Sequence, residues 1–216
     1  MGWLKLKEYG LKEAYIRKLM KEFGAYSDMF IASNFNLFSD KFKSTLEKVD
    51  KVDVSRILET HNKSSVRIIS AKDNEYPSDI KKLVDFPTFL YVKGNEMHRE
   101  RKIAVVGTRK VTKFGKASCE KIVKDLLEYD ITIVSGLAEG IDTIALNIAV
   151  QKNNNPIAIV GTGLDIVYPF ENREIWEKIG REGTIISEYP LGTSAQKWNF
   201  PKRNRLIAAI SNGVLV

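Results

Sequence analysis

Cysteine is nearly absent. Cys119 alone cannot close an intramolecular disulfide, and such usage fits a reducing cytoplasm. Histidine is almost as scarce, with only His61 and His98, so no Cys/His set remains to hold zinc, and the sequence argues for no metal and no cofactor. No stretch approaches the ~18 consecutive apolar residues that a membrane span needs. The first residues interleave Lys5 and Lys7 with Trp3, Leu4 and Leu6 instead of building the apolar core of an export signal, so neither a membrane nor secretion is expected. Two nucleotide fingerprints are missing as well. No G-x-G-x-x-G follows a strand, which disfavours an NAD enzyme, and no G-x-x-x-x-G-K-[ST] occurs, which disfavours a P-loop ATPase. Internal repeats and low-complexity stretches are also lacking.

What is present reads as a basic globular protein. The 216 residues are 44% hydrophobic and carry a formal charge of +7, enough chain for one sizeable core and a small companion, with a weak pull towards an anionic partner. Residues 1–62 read as a small all-α domain. Ile16, Leu19, Met20 and Phe23 recur at helical spacing and Gly24 follows where a helix would end. Residues 63–216 read differently. After the strands Val66–Ser70 and Phe89–Val92, separated by a polar helix candidate, come the short apolar runs Ile103–Gly107, Ile131–Gly136, Ile157–Gly161, Thr184–Glu188 and Val214–Val216. Continuous hydrophobicity marks strands buried on both faces. The intervening segments Lys113–Tyr129, Gly140–Gln151, Asn172–Arg181 and Arg203–Ile210 are long enough for crossover helices. The predicted fold is an α/β doubly wound, mostly parallel sheet.

In such sheets ligands bind beyond the carboxyl ends of the strands. The residues there are Gly107-Thr108-Arg109, Ser135-Gly136 with Ala138 to Asp142, Gly161-Thr162-Gly163, and Ser187-Glu188. Glycines let backbone N–H groups approach an anion; each turn taken singly is better explained by turn geometry, but three of them with Thr108, Ser135 and Thr162 alongside point to a phosphate site. Asp142, Asp165 and Glu188 read as helix caps and loop acceptors, because no histidine accompanies them for acid/base work. Basic residues gather over Arg99–Lys116 and over Lys197–Arg205, the second run interleaved with Trp198 and Phe200. Aromatic faces among phosphate-binding cations suit single-stranded nucleic acid; a solvated helix face with core-anchoring rings is the other reading.

Six ordered segments resemble the bacterial DNA-processing proteins of the DprA/Smf family. They are Tyr76-Pro77 with Phe86–Gly94, Val105–Arg109, Ser135–Asp142, Gly161–Pro169, Ile186–Gly192 and Asn199–Ala208. The resemblance implies an extended Rossmann-like domain that binds single-stranded DNA, protects incoming strands in natural transformation and loads the RecA recombinase. It implies a mediator with no catalytic residues. RecA, single-strand-binding protein and a second copy of the chain are the implied partners. Arg109, Lys197 and Phe200 match the family's strand-binding pocket. Joined to the charge pattern, this predicts Arg109, Lys197, Lys202, Arg203 and Arg205 on phosphates, Phe200 and less directly Trp198 under bases, and Gly107, Thr108, Ser135 and Gly136 as donors. Residues 1–62 are similar only in position to the family's small helical domain, of SAM or helix-hairpin-helix type. Leu146 stands where many relatives have His, and the sequence stops where relatives continue into a dimer-forming segment, so it is expected to lack that C-terminal part. The alternative is a Rossmann-like enzyme that binds a nucleotide or hydrolyses nucleoside monophosphates; its P-G-G-x-G-T-x-x-E segment is absent.

Overall fold

The computed structural model describes residues 1–97 and 101–216; Arg99 and Glu100 of the first basic run lie outside the described residues. Five helices come first: α1 (Gly2–Glu8), α2 (Glu13–Glu22), α3 (Ala32–Phe35), α4 (Asp40–Asp50) and α5 (Ser55–Lys63). The strands β1 (Val66–Ser70) and β2 (Phe89–Gly94) follow. The polar helix expected between them is one short 3-10 turn, Ile80–Lys82. Then β3 (Arg101–Val105), α6 (Lys113–Leu127), β4 (Ile131–Ser135), α7 (Ile141–Gln151), β5 (Ile157–Val160), α8 (Arg173–Glu182), β6 (Thr184–Ser187), α9 (Asn199–Ile210) and β7 (Gly213–Leu215) alternate.

The seven strands among the described residues form one sheet in the order β1-β2-β6-β5-β4-β3-β7. The five strands from β6 to β7 run parallel, and β2 and β1 extend them antiparallel beyond β6. Crossovers through α6, α7 and α8 step the chain from β3 to β6 along one face. The return to the far side of β3 then carries α9 over the opposite face. Alternate strand residues feed the two layers. Val105 and Ile133 meet Val123 and Ala149, and Ala158, Val160 and Ile185 meet Leu146, Trp176 and Ile179. On the other side Ala104, Val134, Ile157, Ile159 and Ile186 meet Leu206, Ile207 and Ile210 of α9.

The predicted strands β4, β5 and β6 are buried on both faces, apart from the half-buried first residue of β4. By contrast β7 lies at the sheet edge with Val214 exposed, because it has a single neighbour, β3. The periodic residues Ile16, Leu19, Met20 and Phe23 are all buried. They belong to the same apolar cluster as Phe89, Leu90 and Val92 of the sheet, and no break in that cluster marks residue 62. Polar contacts cross there too: the Glu13 carboxylate accepts from Thr88 N (3.1 Å) and Oγ1 (2.7 Å), and Arg17 donates to Phe86 O (3.0 Å). Replacing the fully buried Leu46 with Ala is therefore expected to destabilise the whole chain by about 2–5 kcal/mol in a single urea transition. Separate transitions for helices and sheet would contradict the shared core.

Candidate nucleic-acid interface

Sheet order reverses between β3 and β7, and there the strand-end loops diverge to leave a crevice. A cleft of about 640 Å³ occupies it, walled by the turn after β3, the start of α7, the loop after β5 and one side of α9. Its floor is a buried polar knot. Arg203 is only 4% exposed; its guanidinium donates to the carbonyls of Gly136 and Ile159, tying α9 to the ends of β4 and β5. Burial pushes its pKa down to about 10, against the opposing pull of Asp142, with the charge of Arg109 adding to the depression. Asp142 is itself raised by burial, against the charge of Arg203 and the backbone N–H groups of Ala138 and Gly136. Only glycine fits at Gly136, because a Cβ would overlap both Arg203 and Asp142. Gly140, at φ +84°, lets its backbone touch the carbonyl of Thr108 and so holds the turn that carries Arg109.

Above this floor the side chains are free. Arg109 is exposed, with its guanidinium carbon 5.9 Å from the Phe200 ring centre, a cation–π distance. The other neighbour of Phe200 is Tyr168, with ring centres 5.3 Å apart and planes tilted by 33°. Lys197, also exposed, lines the same cleft. The side-chain amide of Asn199 donates to Gly161 O (2.9 Å) and fixes the first turn of α9, and so the position of Phe200. A cation, two rings and a second cation thus share one open wall. Such a wall can hold a phosphate while offering its ring faces to bases.

Several expected site residues lie elsewhere. Helical rotation puts Lys202 and Arg205 on the side of α9 opposite Phe200, Asn204 and Ile207. There Arg205 binds Glu188 through two nitrogens (3.2 and 2.8 Å) and Asp85 (2.8 Å), while Lys202 lies 3.4 Å from Glu188. Arg203 is enclosed in the floor. The Ser135 hydroxyl is fully buried and donates to Val105 O (2.6 Å), and that of Thr162 donates to Ile166 O (2.9 Å), so the three hydroxyls do not converge on one anion. Both backbone groups of Gly136 are engaged, its N–H with Asp142 (3.1 Å) and its carbonyl with Arg203. Thr108 remains exposed beside Gly107, its hydroxyl receiving Lys110 N (3.1 Å). Trp198, 69% exposed, stands before α9 and outside the cleft wall. Asp142 and Asp165 are loop acceptors as expected, the latter taking Gly192 N at 2.9 Å, but Glu188 is an ion-pair partner and caps no helix. Sequence reasoning assigned no role to Tyr168. The signal available was an aromatic residue in a strand-end loop.

The family profile described as DNA recombination-mediator protein A matches residues 67–216. The DNA processing protein DprA of Streptococcus pneumoniae is 35% identical over 222 residues, covering 98% of this chain and 75% of the relative. Protein Smf of a Synechocystis strain is 40% identical over 166 residues, covering 74% of this chain and 42% of its own length, so the chain spans less than half of that relative. The X-ray structure of the Streptococcus pneumoniae protein superposes with a TM-score of 0.77 at 33% identity, over 99% of this chain and 76% of that one. A solved structure of the Helicobacter pylori DNA processing protein A, concerned with its single-stranded DNA binding mode, gives a TM-score of 0.62 at 31% identity over 69% of this chain and 67% of that one. The order of the six motifs, the doubly wound sheet and these matches agree: the chain belongs to the DprA/Smf family of DNA recombination-mediator proteins.

Proposed function

We propose that this chain binds single-stranded DNA in the cleft between β3, β7 and α9, as a recombination mediator and not a catalyst. Arg109 and Lys197 take phosphates, Phe200 and Tyr168 stack on bases, and Gly107 and Thr108 supply further donors from the turn after β3. Arg203 and Gly136 build the floor, and Lys202 and Arg205 anchor the far side of α9. The observation that carries the reading is the Arg109–Phe200–Tyr168 row lining the cleft at the sheet's switch point. The strand-binding relative from Helicobacter pylori supports it. In the cytoplasm such a protein protects incoming strands and hands them to the RecA recombinase during natural transformation, with single-strand-binding protein and a second copy of the chain as further partners.

Fluorescence anisotropy with a labelled oligonucleotide tests the site. Phe200→Ala is expected to cost about 1–3 kcal/mol of binding, the usual value of one stacked base. The half-buried ring makes a control necessary: an unchanged melting temperature together with parental affinity would remove Phe200 from the strand path.

A further inference from the structure

Arg109 is the only member of the first basic run that the proposed site uses, and the run continues beyond it. From Arg101 to Cys119 the sequence contains no acidic residue. Lys110 and Lys113 are exposed and have no carboxylate partner among the described residues, whereas Lys116 lies 3.9 Å from Glu120. In the first turn of α6, directly after Lys113, stands Phe114, 82% exposed, the most exposed phenylalanine among the described residues. Burial does not explain an aromatic ring there, and cations stand on both sides of it in sequence at Lys113 and Lys116. The segment is also fixed in place. The Thr108 hydroxyl receives Lys110 N (3.1 Å) and the Thr112 hydroxyl receives Gly115 N (3.1 Å), which holds both ends of the stretch that carries Lys110, Lys113 and Phe114. Five residues span at most about 17 Å, so Phe114 lies within a few nucleotides of Arg109.

We propose that Phe114, with Lys110 and Lys113, forms a second station for single-stranded DNA, where a base leaving the cleft past Arg109 stacks on an exposed ring and its phosphates meet two unpaired lysines. The inference rests on the strand-binding reading of the cleft and adds a direction to it. The strand runs from Phe200 across Arg109 towards α6. Its chemistry repeats that of the cleft in a more open form: sequence-tolerant stacking beside unpaired positive charge.

The test compares oligodeoxythymidylates of about 6 and about 20 nucleotides, the first sized to the cleft and the second long enough to reach α6. Anisotropy is measured with the parent chain, Phe114→Ala and the double variant Lys110→Gln/Lys113→Gln, whose substitutions at exposed positions leave the melting temperature unchanged. On the long oligonucleotide both variants are expected to bind at least about fivefold more weakly than the parent, with parental affinity on the short one. Parental affinity of both variants at both lengths overturns the second station and leaves the cleft intact. So does loss of self-association in Phe114→Ala without loss of DNA affinity, which would assign the ring to contact with another copy. Failure of the parent chain to bind either length overturns the cleft reading and this one together.

Discussion

Replacing Arg109 with Ala is expected to weaken single-stranded DNA binding by about 2–4 kcal/mol, roughly 30- to 1000-fold. A charge-assisted contact to phosphate supplies most of this, and the rest comes from losing the cation that holds the Phe200 ring in place for a base. The variant should also flatten the dependence of affinity on salt, by about 0.7 in the logarithmic slope for one lost phosphate on a single strand. Arg109→Lys separates the two contributions. It keeps the charge, and so the slope, but loses the planar fork that lies against the ring, and its affinity should fall between parent and Ala. Titrations at low and at physiological salt measure both quantities. An Ala variant with the parental slope and affinity would remove Arg109 from the interface, whatever its exposure.

The second large effect concerns stability. Arg203→Met removes the buried guanidinium that joins α9 to the carbonyls of Gly136 and Ile159, and leaves the Asp142 carboxylate without its neighbouring cation. Breaking a buried charge arrangement by deleting one member costs about 3–5 kcal/mol, which for a chain of this length lowers the melting temperature by roughly 6–20 °C. Calorimetry of parent and variant measures it. A melting temperature within about 2 °C of the parent would mean that Arg203 is not the fastener of the floor. The arginine is thereby distinguished from Arg109, whose loss should leave the melting temperature where it was, because that side chain is exposed and touches the fold only at the cleft wall, over Phe200.

Much of the fold was legible because burial on both faces leaves an unmistakable trace. Ile157 to Val160 and Thr184 to Ser187 could hardly sit anywhere but in the middle of a covered sheet. The site was legible in part. Gly107, Arg109, Lys197 and Phe200 sit at strand and helix ends, where topology alone assigns them to the crevice. The fate of Lys202, Arg203 and Arg205 was not legible, and the reason lies in the start of α9. The sequence places that helical segment at Arg203–Ile210. The helix begins at Asn199, and Pro201 falls in its first turn, where a missing N–H costs nothing. With that start, Phe200, Asn204 and Ile207 share one side and Lys202 and Arg205 the other. Which side lines the cleft and which meets Asp85 and Glu188 depends on residues more than a hundred positions away in one case, and no local pattern carries that information. The same holds for Ser135, whose hydroxyl turns inward to Val105 O because β3 and β4 are neighbours.

Photo-crosslinking tests the central claim most directly. A single-stranded oligonucleotide carrying bromodeoxyuridine is irradiated on the protein, and the attached peptides are identified by mass spectrometry. Crosslinks are expected at Phe200 and Tyr168, suppressed by excess single strand, resistant to duplex of equal length and diminished in Arg109→Ala. Crosslinks confined to the helices of residues 1–62, or to the Glu188 side of α9, would contradict it.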